Sequence, residues 1–448
     1  MQELQEKVQA DDRMFSVASK VMQGETGFLF VYCLEENVFY QYSNGYWKKV
    51  FDLEILSLIS RTFTQKQANI NRFNISTKKQ IIEQLKTMVF KRLETFNSYD
   101  LINFNAGMFD VKAGNIIEHN PDYLSTIRMK YGYDKDAECP LWLKTLEGIF
   151  EGDKDKINVL QEYVGYCLTR DVTREKALLL LGDSRSGKST ILNTINYLIG
   201  EENVSNIALE FLSNPQYTAM LINKMINIDW DVSSGAEKFE ANFKVITSGE
   251  PVNVNDKYVK TFTFRPHCKL IMAANKFPRI TDHSSAFYKR LILIPCNRVF
   301  EAHEQDIKLK EKLRLELSGI FNWAVAGLNR LEERGYFEMN SKFMTDAIEE
   351  LREESNPVDI FFKENITTDT SGKCEIEKVE LYNRYTAWCK LNGNVAMANN
   401  KFGASVFAKY SKFTPKDTKS YTGSHKRVWK NLVYVESLPK GENVQWQD

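Results

Sequence analysis

The chain has little with which to build a metal centre or a disulfide framework. Its 448 residues include five histidines and seven cysteines, at positions 33, 139, 167, 268, 296, 374 and 389. The cysteines are scattered, odd in number and without a Cys-x-x-Cys pair. This argues against a zinc site or disulfide scaffold and fits reduced thiols in a cytoplasm. Net charge is missing too, since 59 Lys and Arg are matched by 59 Asp and Glu. A globally basic nucleic-acid binder is excluded, and any contact with a polyanion must come from a local patch. No apolar run approaches a membrane span. The opening Met-Gln-Glu-Leu-Gln-Glu-Lys is a polar helix start rather than a signal-peptide core. Internal repeats and low-complexity tracts are absent. What remains is an ordinary apolar fraction, 43%, in a chain too long for one core, which predicts about two to four domains.

Against that background one segment stands out. Residues 177–190 read Ala-Leu-Leu-Leu-Leu-Gly-Asp-Ser-Arg-Ser-Gly-Lys-Ser-Thr, an apolar strand running into Gly-x-x-x-x-Gly-Lys-Ser. The pattern is that of a P-loop in its proper context, strand before and amphipathic helix after. Gly182 and Gly187 permit backbone angles that turn successive N–H groups toward phosphate oxygens. Asp183, Ser184, Arg185, Ser186 and Thr190 complete the cradle. Lys188 would reach the β- and γ-phosphates of ATP, and the Ser189 hydroxyl would join the coordination of Mg²⁺. The following helix aims its N-terminus at the phosphates.

The rest of the chain falls into segments around this one. Residues 27–50 alternate aromatic and polar side chains, with turn signals at Asn37 and Asn44-Gly45, which predicts a small antiparallel sheet with Tyr46 and Trp47 packed inward. Helical periodicity over 51–97 precedes a return to strand and turn around Asn105-Ala106-Gly107. This N-terminal α+β region, 1–140, reads as a structural or docking module. From 141 to 335, helices lead into short apolar strands at 177–181, 224–229, 268–274 and 290–295, the pattern of an α/β domain with a mostly parallel sheet. A helix over 313–331 and a charged linker helix over 345–354 follow. In 345–448, two helices and a strand pair around Thr422-Gly423-Ser424 suggest a winged helix.

Four further features bear on chemistry. The strand Lys224-Met-Ile-Asn-Ile-Asp-Trp-Asp ends in Asp229 and Asp231, which alternation sends to one side. One could bind Mg²⁺ and the other polarise the attacking water, and which does which stays open. Asn275 ends the strand 268–274, where the γ-phosphate and water would lie. Between these strands, 252–264 reads as a β-hairpin whose tip carries Lys257, Tyr258 and Lys260, two cations beside an aromatic, suited to a phosphate backbone and a stacked base, though a solvated loop would look the same. Arg290, just before a buried strand, is a candidate arginine finger inserted into a neighbouring subunit. Finally, residues 401–430 hold eight Lys or Arg against the single acid Asp417, with aromatics interleaved. Lys412, Lys416, Lys419, Lys426 and Arg427 are its candidate DNA contacts.

In combination these residues resemble superfamily 3 helicases of the phage and plasmid primase-helicase family, related to the poxvirus primase-helicase. The resemblance rests on Gly182–Thr190, on Asn227-Ile-Asp-Trp-Asp, on Lys244-Val-Ile-Thr-Ser-Gly-Glu before the hairpin, on Ala274-Asn275 and on Ala286-Phe-Tyr-Lys-Arg290. Asn105-Ala-Gly-Met-Phe-Asp-Val, His119-Asn-Pro-Asp, Leu160-Gln-Glu-Tyr-Val-Gly-Tyr, Asn322-Trp-Ala-Val-Ala-Gly-Leu and Tyr382-Asn-Arg-Tyr-Thr-Ala-Trp-Cys extend it over nearly the whole chain. It implies an AAA+-type P-loop ATPase core that assembles as a homo-oligomeric, commonly hexameric, ring around DNA and moves 3′ to 5′ in the replication of a phage, plasmid or mobile element. The hairpin would draw a single strand through the channel, and the winged helix would engage duplex or origin DNA. Two departures stand out. The family's acid aligns with Asp231, and Asp229 is unusual. No paired-acid primase site precedes residue 140, so priming falls to a separate primase or polymerase, or to sequence outside this chain. The rival readings are an origin-binding initiator or loader that melts DNA without processive unwinding, and a small-molecule P-loop kinase.

Overall fold

The computed structural model describes residues 16–20, 29–62, 75–233, 239–255, 261–276, 285–339, 341–368, 374–392, 396–410 and 427–435. The chain divides after Thr345 into two compact units.

The first unit begins with a sheet of β1 (Leu29–Cys33), β2 (Val38–Ser43), β3 (Tyr46–Val50) and β4 (Phe90–Lys91) in the order β3-β2-β1-β4. The β2–β3 turn is formed by Asn44 and Gly45 at φ 51° and 87°, the pair of left-handed residues a tight hairpin requires. Alternation then decides the packing. Phe30 and Tyr32 face helices α1 (Asp52–Thr62) and α2 (Ile75–Val89) through Ile55, Ile81, Ile82 and Leu85. Val31 and Cys33 face the other way, against Trp47, Phe96 and Leu124. Both faces are therefore apolar and covered. Trp47 is buried as expected and donates Nε1–H to the Pro121 carbonyl at 2.8 Å, while Tyr46 is half-buried. The three-stranded meander β5 (Leu101–Phe104), β6 (Gly107–Asp110) and β7 (Asn115–Ile117) follows, with its turn at Asn105-Ala106.

The helices that lead into the strands from 141 onward are α3 (Pro140–Ile149) and α4 (Lys154–Tyr166). They precede a parallel sheet of β8 (Ala177–Leu181), β9 (Val204–Ser205), β10 (Ile226–Asp229), β13 (Lys269–Ala274) and β14 (Leu291–Pro295). Its spatial order is β14-β8-β13-β10-β9, or 5-1-4-3-2 in chain order. β8 lies between β14 and β13, buried on both faces, which is why it reads as an unbroken apolar run. The antiparallel pair β11 (Val252–Val254) and β12 (Phe262–Phe264) branches off between β10 and β13. Helices α5 (Lys188–Ile199), α6 (Ser285–Arg290) and α7 (Leu317–Arg334) complete the frame. α7 packs on α4, where the buried Glu162 accepts from Arg330 Nε at 2.7 Å and from Arg334. The charged linker helix spans Lys342–Ser355, across the division at Thr345.

The second unit holds helices Pro357–Asn365, Lys378–Leu391 and Asn399–Tyr410 around Phe361, Tyr385, Phe402 and Trp429. Tyr385 and Phe402 stack at 4.5 Å. The expected strand pair at 422–424 lies outside the described residues. Within them, β17 (Val428–Lys430) pairs with β16 (Glu375–Glu377), and β18 (Leu432–Tyr434) with β15 (Ile366–Thr368).

Candidate functional site

The carboxyl ends of β8, β13 and β10 bring most of the expected site residues together. β8 delivers the chain to Gly182, whose N–H donates to the Ala274 carbonyl at 3.1 Å. A Cβ on residue 182 would stand 2.1 Å from the Cys296 carbonyl oxygen, so only glycine passes this close to the exit of β14. The loop is held from that side as well, with Phe300 N–H donating to the Arg185 carbonyl at 3.0 Å. Arg185 and Gly187 take φ of 65° and 91°, the left-handed turns that curl backbone amides into a nest. Gly187 opens α5, where a Cβ would press to 2.6 Å from Ile149 Cγ1.

Lys188 is the centre of the loop. Its Nζ donates to the carbonyls of Gly182 and Asp183 at 2.6 and 2.7 Å, to Ser186 Oγ at 3.2 Å and to Asn275 Oδ1 at 3.1 Å. The side chain is buried. Burial pulls the ammonium below its ordinary pKa, while Cys296, Asp231 and Asp183 act the other way. Ser186 is buried with it, whereas Asp183, Ser184, Arg185 and Ser189 are exposed and Thr190 is half-buried. Asn275, exposed just past β13, accepts this bond from Lys188 at the carboxyl end of its strand.

The two acids differ in their surroundings. Asp229 is the last residue of β10 and buried, with Oδ2 accepting from the Leu209 N–H at 2.7 Å. Burial pushes its carboxyl up, and the backbone amides of Leu209 and Asp231 pull back. Asp231 is exposed, and its charge acts on Lys188. Asn227, quoted only as part of a motif, is buried and clamps the Ile207 backbone through both its amide atoms at 2.9 Å.

Arg290 lies at the opposite edge of the same sheet. It ends α6, and the next residue, Leu291, pairs with Ala177 at the start of β8. Its NH2 meets Glu175 Oε2 at 2.5 Å, and its NH1 donates to the Ala286 carbonyl at 3.1 Å. Sequence reasoning missed Glu175. The only local signal was its place in the charged run before an apolar strand, and nothing in that run points to residue 290. The hairpin-tip residues Lys257, Tyr258 and Lys260, and Lys412, Lys416, Lys419 and Lys426 of the basic stretch, lie outside the described residues. Arg427 is described and exposed, and its carbonyl accepts from Lys378 N–H at 2.9 Å.

A cavity of about 580 Å³ also opens at this second edge, between Arg92, Tyr99, Arg170, Lys224, Arg265 and His267. Its cations are largely engaged: Arg92 with Glu35, Arg170 with the Phe96 and Asn97 carbonyls, and Lys224 with the Glu202 carbonyl. None of residues 182–190 lines it.

Two family models match the chain. A D5 N terminal like region covers residues 21–151, and a family of unknown function, DUF5906, covers 180–290. "Putative helicase L207/L206" of Acanthamoeba polyphaga mimivirus is 22% identical over 354 residues, 73% of this chain and 37% of that protein. "Putative helicase 121R" of Invertebrate iridescent virus 3 is 24% identical over 253 residues, 52% of this chain and 26% of that protein. The chain thus spans about a third of the length of these curated relatives. Among solved structures, apo forms of the NrS-1 C terminal region superpose with TM-scores of 0.53 and 0.52. Each is 14% identical, and they cover 93% and 91% of this chain and 98% and 97% of theirs. That likeness is one of fold, an α/β architecture extending over nearly the whole chain. Together with the D5-type region and the viral relatives named as putative helicases, it supports kinship with the phage and viral primase-helicase family.

Proposed function

We propose that this chain is the motor part of a replicative DNA helicase, an AAA+-type P-loop ATPase that couples ATP hydrolysis to movement along one strand. The observation that carries this reading is the closure of the glycine-rich loop on Lys188, with Asn275 beside it, at the carboxyl edge of a parallel sheet in 5-1-4-3-2 order. ATP would replace the loop carbonyls as partner of the Lys188 ammonium, and the turn through Gly182–Thr190 would line its phosphates with backbone N–H groups at the N-terminus of α5.

The donor set suits Mg²⁺, which takes one or two carboxylates together with phosphates and water rather than an all-protein cage. Ser189 and Asp231, an exposed hydroxyl and an exposed carboxylate, would hold it. When bound, the ion neutralises charge across the phosphates. Asp231 and Asn275 then orient the attacking water. Asp229, turned to the Leu209 amide, supports the segment beside it.

Arg290 is out of reach of its own loop. The five residues of β8 separate the two edges, roughly 17 Å at the rise of a parallel strand. An arginine finger there acts on the next subunit, so the working form is a ring of copies of this chain, with DNA in its channel at the hairpin and a winged helix in the second unit engaging duplex. Strand displacement on forks with a single 3′ or 5′ tail tests the reading. Unwinding of the 3′-tailed fork alone, abolished by Lys188→Ala and by Arg290→Ala, is the expected result. DNA-stimulated ATPase without any unwinding would replace this reading with that of an initiator or loader.

A further inference from the structure

We propose that Glu175 is a positioning residue for Arg290, fixing the guanidinium that one subunit offers to the nucleotide of the next. The proposal rests on the reading of Arg290 given above. Residues 175 and 290 are 115 positions apart, yet the register Leu291↔Ala177 sets them side by side where two adjacent strands begin. The contact at 2.5 Å takes one terminal nitrogen of Arg290, and the Ala286 carbonyl at 3.1 Å takes the other. Arg290 Nε is buried and has no hydrogen-bond partner among the described residues. The guanidinium is thus held on two sides with donors left over. Only a fifth of its side chain is exposed, against 44% for Glu175.

Glu175 closes a tight turn. It sits at φ 50°, a left-handed conformation unusual for a glutamate, and its N–H donates to the Val172 carbonyl at 2.9 Å. Strain of this kind persists where the surrounding structure demands it. Lys176 is drawn into the same corner, with Nζ donating to the Lys289 carbonyl. A half-exposed ion pair adds little to folding. What it supplies is order in a long side chain that must meet a phosphate on another molecule, and misplacement by about 1 Å can cost about a hundredfold in rate.

Mixed rings provide the test. Chains carrying Lys188→Ala retain Arg290, chains carrying Arg290→Ala retain the loop, and mixing the two restores ATPase at interfaces where the intact halves meet. Adding Glu175→Ala to the Lys188→Ala chain should lower the recovered rate between about 10- and 100-fold, with KM for ATP unchanged within about twofold. Adding it to the Arg290→Ala chain should change nothing, because no finger remains there to position. Glu175→Gln, which keeps an acceptor, should fall between. Equal losses on both chains would make Glu175 merely structural, and no loss on either would remove it from the mechanism. Failure of the parent mixture to recover any activity would instead overturn the neighbour-subunit reading of Arg290, and this proposal with it.

Discussion

The two edges of the five-stranded sheet solve opposite problems. At the carboxyl edge the chain gathers polar groups without satisfying them permanently. Lys188 leans on carbonyls and on Asn275, and Asp231 stands in solvent. At the amino edge the charges are tied to structure. Arg174 is paired with Asp171 and with Glu332 at 3.0 Å. Lys269 is fully buried, with Nζ donating to the Thr169 and His267 carbonyls and lying 4.7 Å from the centre of the Tyr166 ring. Burial pushes that ammonium down to about 8. The lesson is that similar residue types can be held ready for a ligand or committed to the fold, depending on which end of a strand they occupy.

Substitutions can break the contrast, and the sharpest is Lys188→Ala. It should reduce steady-state ATP hydrolysis by about 10³-fold or more while the thermal midpoint stays within a few degrees, since a desolvated cation contributes little to folding. A large loss of stability would mean that this edge, too, is committed to the fold. Gly182→Ala should cost stability as well. A methyl forced to 2.1 Å from the Cys296 carbonyl displaces backbone, and urea unfolding should show a loss of about 2–3 kcal/mol. Asn275→Ala comes next, with an expected drop in kcat of about 10- to 100-fold and unchanged unfolding.

The last effect concerns acid. His267, at the amino edge, is held down to about 4 from its usual 6.5, by burial first and by Arg170 and Lys269 next. Between those values the unfolded chain takes up a proton that the folded chain refuses. Stability is therefore full above pH 6.5 and falls as pH drops toward 4. His267→Gln should flatten the slope of unfolding free energy against pH in that window, measured against wild type. An unchanged slope would mean that His267 is not confined as the amino edge requires.

Much of the frame was legible because its signals are local. The runs at 177–181, 268–274 and 290–295 are apolar on both faces, and Asn44-Gly45 has few alternatives to a hairpin turn. The loop of Lys188 was legible for the same reason, since each part of it lies within nine residues of sequence. Long-range pairing was not. β9 is two residues long and carries no period at all. The parallel alignment of β4 with β1 joins segments separated by a helix-rich stretch. The strands of the second unit pair with partners more than fifty positions away rather than with each other. The split between Asp229 and Asp231 depends on where β10 stops. Alternation extended two residues too far, through Trp230 to Asp231, treats the two acids as equivalent.

β8 has one further consequence. It is hydrogen-bonded along both sides by parallel neighbours, begins two residues after Glu175 and ends one residue before Gly182. Such a strand is stiff along its length, unlike a loop or a chain of side-chain contacts. A displacement imposed at one tip arrives at the other nearly undiminished. In mechanical terms the segment is a pushrod, and the two ends of the sheet cannot shift independently of each other.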